Sequence, residues 1–435
     1  MLIAVPAVWD TAARAGPAPD RAILAAVDPL DEIDALVAHH GRGPGTDAER
    51  RAARHLAGRL DQLGRDAATE ATVVRPRYAL THLIHVVVAI AGGLAAAGGD
   101  DTLRLAGTAA VLLAAVSAFG DLTGSFHLAR RLTGVRASQN VVSREDLSKP
   151  GTLVLIAHYD AARSGAVFSE RALRRRARLG RLLRRPIGPF EPLFWSIALV
   201  LACCALRVAG VDDTVLSVLQ FLPTIVLVLA VPLLVDLALS PVVPGAGDNA
   251  SGVATVLRLA DRYGEQLDSF DVWVLLTGAQ EAQQLGMSAF LKRHRGELDP
   301  AGTVFLCVDD VGRGTLRYTT KEGYLVAHRY HPDLIALCDQ LREEDVEEGR
   351  YDARPVVARI ATDANRARVA GYPAIAVGAA NELDYPPHYH QPSDGPESID
   401  PDALERAYDF CSELIELIDE RIGPRLTESA AGVSG

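Results

Sequence analysis

Four long apolar segments constrain this chain more than anything else in it. Thr81 to Gly99 is apolar except for His82 and His85, and Leu105 to Phe119 is apolar throughout. Leu193 to Val211 is broken only by Arg207, and Val215 to Leu239 by Gln220 and Asp236. A membrane helix needs ~20 apolar residues to cross the hydrocarbon core. Three segments approach or exceed that length, and the second is short. Buried core helices are the competing reading, but two long apolar hairpins are more than one core absorbs in a chain of 435 residues. Transmembrane hairpins are therefore expected over 79–121 and 190–240.

Flanking charge orients them. Asp100, Asp101, Asp212 and Asp213 sit at the hairpin tips, against Arg104 and Arg207. The outer flanks carry Arg75, Arg77, Arg130, Arg131 and Arg136, and a far stronger run from Arg163 through Arg171, Arg174, Arg175, Arg176, Arg178, Arg181 and Arg184 to Arg185. Lys and Arg favour the cytoplasmic side, so the tips are expected outside and everything soluble on the cytoplasmic face. The arginine run over 163–189 reads equally as a stop-transfer flank or as a helix lying on anionic lipid head groups. The net charge of −11 excludes a chain built for nucleic acid. Four spans with few polar residues inside them give a transporter little to work with.

The remaining sequence reads as one interrupted α/β domain, expected over 29–78, 138–162 and 243–422. Residues 1–28, rich in Ala and Pro, and a tail over 423–435 are expected to be loosely held. Helices are expected from Asp31 to His40, from Thr46 to Leu63 behind the Thr46/Glu49 capping box, and over Asn249–Tyr263, Met287–Arg295, His331–Glu347 and Pro401–Ile422. Strands are expected at Thr69–Val74, Gln139–Ser143, Thr152–Ala157, Phe270–Leu276, Thr303–Val308 and Ala374–Val377. Five cysteines without metal-finger or CxxC spacing read as small buried residues of a reducing compartment. Met1 to Pro6 lacks a basic n-region, so a cleavable signal peptide is not expected.

Five places put a metal-capable side chain at a strand end or in a turn: His158-Tyr159-Asp160, Gly247-Asp248-Asn249-Ala250-Ser251-Gly252, Gln280-Glu281, Asp309-Asp310-Val311-Gly312 and Tyr389-His390-Gln391-Pro392-Ser393-Asp394. Each alone is weak. A lone His after a strand is commonly a satisfied polar residue, Asp248 can cap its helix, and Asp309 or Asp310 can be turn residues. The order His, Asp, Glu, Asp, His raises the odds.

That order resembles the co-catalytic di-zinc aminopeptidase family, which includes glutamate carboxypeptidases, glutaminyl cyclases and the transferrin-receptor ectodomain. The segment Gly43-Pro44-Gly45-Thr46 with Glu49 resembles the family's N-terminal helix. The resemblance implies a three-layer α/β/α sandwich around a mixed, mostly parallel sheet, here with the two hairpins inserted. It implies two zinc ions bridged by Asp248, with His158 and Asp309 on one and Glu281 and His390 on the other. Asp160 would orient His158 from behind and fix its tautomer. Two Zn²⁺ against three carboxylates leave one positive charge for a bridging hydroxide, the nucleophile of two-metal hydrolysis. Ala361-Thr362-Asp363 resembles a substrate-side loop, with Asp363 a candidate for holding a substrate amine. Tyr385 and Tyr389 can polarise a carbonyl or simply pack.

One position departs from the pattern. The family has Glu before the ligand Glu, and it is the general base; here it is Gln280. Losing a positioned base costs about 10²–10⁴ in rate. Hydrolysis is then residual, another group such as Asp310 or Asp363 substitutes, or the chain is a non-catalytic relative. The expected function is membrane-anchored exopeptidase action of aminopeptidase type on peptides or amino-acid derivatives. The alternative is a metal-binding pseudo-peptidase serving as a membrane interaction module.

Overall fold

The computed structural model describes residues 27–426, so most of the N-terminal segment and of the tail lie outside the described residues. The strands are β1 (Ala67–Val74), β2 (Arg136–Ser143), β3 (Gly151–His158), β4 (Phe270–Thr277), β5 (Thr303–Asp309), β6 (Thr315–Glu322), β7 (His328–Arg329), β8 (Arg354–Val357) and β9 (Ala374–Ala380). They form one mixed sheet in the order β1-β2-β4-β3-β5-β9-β6-β7, with β8 beside β6. The middle four, β4-β3-β5-β9, are parallel. They are buried on both faces, which is why Phe270–Thr277 and Gly151–His158 read as near-continuous apolar runs. The β1–β2 and β2–β4 pairs are antiparallel.

Helices cover both faces. They are α1 (Pro29–Val37), α2 (Asp47–Gln62), α3 (Tyr78–Gly98), α4 (Asp101–Thr123), α5 (Glu170–Leu182), α6 (Glu191–Val208), α7 (Thr214–Leu239), α8 (Gly252–Tyr263), α9 (Leu285–His294), α10 (Pro332–Glu344), α11 (Asp363–Val369) and α12 (Pro401–Arg421). Helices α1, α8, α10 and α12 associate on one side of the sheet, α9 and α11 on the other. The α/β architecture matches the expected fold class. The capping box is present: Thr46 Oγ1 accepts the Glu49 amide at 3.1 Å, and Glu49 Oε2 accepts the Gly45 amide at 2.8 Å.

Helices α3, α4, α6 and α7 are each long and apolar enough to cross a membrane. They associate with one another, yet leave many large apolar side chains exposed, among them Leu112, Leu113, Leu199, Phe221 and Leu229. The second apolar segment looked short because its helix begins and ends on polar residues; α4 spans 23 residues, capped where Asp100 Oδ1 accepts the Leu103 amide at 2.9 Å. The arginine run contains the regular helix α5, in keeping with one of its two expected readings. Three features were not anticipated. Strands β6 to β8 carry too many charged residues to read as strands. Helix α11 is short and starts inside a segment read as loop. Helix α8 begins at Gly252 rather than Asn249, because the preceding turn around Asp248 departs from helical geometry. In the tail, residues 423–426 are helical.

Candidate metal centre

The register of the parallel strands builds the site. His158 ends β3 opposite Thr277 on β4, and Asp309 ends β5 opposite Gly378 on β9. Their C-terminal ends therefore share one edge of the sheet, where open α/β sheets place their chemistry. The turns after β4 and before α8 bring Glu281 and Asp248 to the same edge, and a late loop adds His390.

The contacts sort into two halves around Asp248. His158 Nε2 lies 3.1 Å from Asp248 Oδ1 and 3.4 Å from Asp309 Oδ1. His390 Nε2 lies 3.3 Å from Asp248 Oδ2 and 3.4 Å from Glu281 Oε2. All five sequence-derived ligand candidates thus converge. All are nearly buried, and among the described residues no Lys or Arg pairs with the three carboxylates. Asp248 Oδ2 lacks a hydrogen-bond partner. A buried trio of carboxylates with no Lys or Arg in ion-pair contact among the described residues, faced by two imidazole nitrogens, is a donor set suited to zinc. The ligand atoms of His158, Asp248 and Glu281 lie within 4.8 Å of one another, as do those of Asp248, Asp309 and the neighbouring Asp310. Burial opposes charging of both imidazoles, yet the facing carboxylates win: Asp309 keeps His158 well above its usual value, and Glu281 and Asp248 raise His390 to about 10. Burial pushes Glu281 up to about 6 and Asp310 well above the usual carboxylate range.

Supporting contacts hold each donor. His158 Nδ1 donates to the Asp160 main-chain oxygen at 3.0 Å, so the backbone fixes the tautomer that leaves Nε2 free. The Asp160 carboxylate, 3.6 Å from Nδ1, instead accepts the Gln280 and Glu281 amides, each at 3.0 Å. Asp394 accepts the Gly247 and Asp248 amides at 2.7 and 3.1 Å. Asn249 donates to Val308 O at 2.9 Å and accepts the Asp310 amide at 3.0 Å. Glu49 accepts the Ala279 amide at 2.9 Å, tying α2 to the turn after β4. His390 lies under Tyr389 and edge-on to Phe168, at ring-centroid distances of 3.9 and 4.3 Å.

The remaining sequence candidates lie in different places. Gln280 and Tyr389 line the small cavity over the cluster. The Gln280 side chain donates to Ala361 O at 3.3 Å. Asp363 is buried next to the cavity-lining Thr362, and its carboxylate accepts from the Thr277 hydroxyl. Tyr385 points away, donating to Ile187 O at 3.2 Å with Arg176 over its ring. Neither Phe168 nor Glu322 was expected from the sequence. Glu322 lines the cavity, is fully buried, and takes hydrogen bonds from Tyr330 and Thr362 on one oxygen only.

The apolar helices reach the same site. Arg130, just after α4, bonds Asp121 at 2.5 Å, donates to Ala282 O at 2.8 Å and also reaches the Gln283 side chain. It thereby grips the turn that carries Glu281. At the end of α7, Asp236 accepts the Ala166 amide at 2.7 Å and secures the loop that presents Phe168 to His390.

Fold and site together define an α/β protein whose strand ends assemble a buried histidine–carboxylate cluster of a kind that could hold metal. Residues 233–415 match Peptidase family M28, a family of zinc-dependent peptidases. Solved structures share the fold. A leucine aminopeptidase precursor from Bacteroides thetaiotaomicron is 14% identical, with a TM-score of 0.51 over 90% of this chain and 98% of its own. Glutaminyl cyclase from Tannerella forsythia is 15% identical, with a TM-score of 0.52 over 90% and 99%. Glutaminyl cyclase from Fimbriiglobus ruber is 14% identical, with a TM-score of 0.51 over 93% and 99%. No curated protein matches the chain.

Proposed function

We propose that this chain is a membrane-anchored, zinc-dependent exopeptidase of aminopeptidase type, holding two zinc ions in the cluster. One observation carries the reading: the two oxygens of Asp248 face separate His–carboxylate pairs, His158 with Asp309 and His390 with Glu281. When bound, zinc supplies Lewis-acid polarisation and an activated water. The chain's own groups hold the donors rigid through the Asp160, Asn249 and Asp394 contacts, and Tyr389 and Phe168 wall off His390. The exposed apolar faces of α3, α4, α6 and α7 support four bilayer spans. The arginine-rich flanks favour a site on the cytoplasmic side, and α5 as the element that meets anionic head groups.

The test is zinc stoichiometry together with cleavage of amino-acid arylamides by the purified protein. Two zinc ions per chain and chelator-sensitive cleavage, lost in His158→Ala, are expected. Absence of cleavage across a peptide panel, with two ions bound, would sink the exopeptidase reading. Gln280 favours a second reading, a metal-binding module of little or no activity, because an amide cannot take the proton a base must accept.

A further inference from the structure

A cavity of about 590 Å³ opens beside the metal cluster, and Glu281 is part of its wall. That volume is in the range of small-molecule sites. Its other walls come from the apolar helices: Ala79 and Leu80 in the first turn of α3, and Ala238 and Leu239 in the last turn of α7. Arg77, Arg136 and Arg163 also line it. Asp47 lines it too, but pairs with Arg50 and Arg51. Among the described residues no carboxylate lies within ion-pair distance of Arg77 or Arg136, so the mouth carries uncompensated positive charge. The smaller cavity over the cluster also includes Glu281. The centre is therefore bordered by two spaces, one polar and one joining apolar helix ends to cationic side chains.

We infer that this second cavity binds a long-chain N-acyl amino acid drawn from the bilayer. The hydrocarbon lies between the start of α3 and the end of α7, the carboxylate meets Arg77 and Arg136, and the amide reaches the cluster at Glu281. The inference rests on the amide-hydrolysing and membrane-spanning readings above. The reaction is hydrolysis. The amide C–N bond breaks, water gives its oxygen to the acyl carbon and a proton to the nitrogen, and a fatty acid and an amino acid leave.

The test uses the zinc-loaded full chain in nanodiscs and a fluorescent acylglycine displaced by N-dodecanoylglycine or by its methyl ester. The acid is expected to bind at least tenfold tighter than the uncharged ester. Arg77→Ala with Arg136→Ala should abolish that preference, and Ala238→Trp, which fills the cavity, should weaken both ligands tenfold or more. Equal binding of acid and ester, unchanged in these variants, would mean that only bulk lipid is sampled and would overturn the inference, even with arylamide cleavage intact. The expected binding pattern with no hydrolysis of any amide would support the site and overturn its assignment to a hydrolase.

Discussion

Replacing Gln280 by Glu is the perturbation with the most to teach. The backbone at this position is fixed, because Asp160 holds the amides of residues 280 and 281 at 3.0 Å each. Only the side chain is free to respond. Its amide nitrogen donates to Ala361 O at 3.3 Å. A carboxylate oxygen there would meet another acceptor, so the Glu side chain is expected to turn into the cavity it shares with His158, Asp248 and Glu281. A positioned general base contributes about 10²–10⁴ in rate, roughly 3–5 kcal/mol of barrier. Gln280→Glu should therefore raise kcat on an amino-acid arylamide by about 10²–10⁴ with little change in KM, since proton transfer belongs to the transition state. The assay is steady-state hydrolysis by native and variant protein, with zinc measured in both samples. A variant that carries two zinc ions at native kcat would refute the argument that the amide at position 280 limits the reaction.

Three further outcomes are expected. Arg130→Met leaves the Asp121 carboxylate, 1% exposed, without its cation. That costs about 3–5 kcal/mol, and the thermal midpoint should fall, with much of the loss recovered by adding Asp121→Asn; a midpoint at the native value would show that the contact bears no strain. Burial pushes Glu322 up to about 7, against an ordinary 4.5. The folded chain therefore holds a proton there that the unfolded chain has released, and stability falls as pH rises from about 4.5 to 7, by about 3 kcal/mol. In Glu322→Gln that part of the slope should vanish, read from unfolding midpoints across this range. Chelation should lower the thermal midpoint, because zinc at about a thousand times its Kd adds roughly 4 kcal/mol, and His158→Ala or His390→Ala should shrink the difference between loaded and stripped protein.

The five metal-ligand candidates were legible in the sequence because each sits where a local signal ends. Val154–His158 and Val304–Asp309 are apolar runs that stop on a polar residue, and Gly245–Gly252 is a turn rich in small residues. The division of labour around them was not legible. Nothing local says that the Asp160 carboxylate clamps the turn after β4 while its backbone oxygen sets the His158 tautomer. Glu322 lies at the end of a strand whose Thr, Arg and Lys hide its period. Phe168 lies among arginines, and its contact with His390 spans more than two hundred residues. The long apolar helices were legible from length alone. Their ends were not, because helix caps such as Asp100 and terminal polar residues such as Asp121 lie outside any apolar window.

Those polar ends tie the two hairpins to the cluster. Asp121 closes α4 and, through Arg130, reaches Ala282 and Gln283 beside Glu281. Asp236 stands near the end of α7 and, through Ala166, fixes the loop whose Phe168 borders His390. Each hairpin thus braces one member of the Glu281–His390 pair, while among the described residues neither makes such a contact with His158 or Asp309, which sit on strand ends inside the sheet. The two halves of the cluster therefore differ in what holds them. The His158–Asp309 half depends on the sheet, and the Glu281–His390 half depends on the apolar helices as well. Disturbing the hairpins should weaken metal binding at the second half first, and the cavity at Glu281 lies on that side.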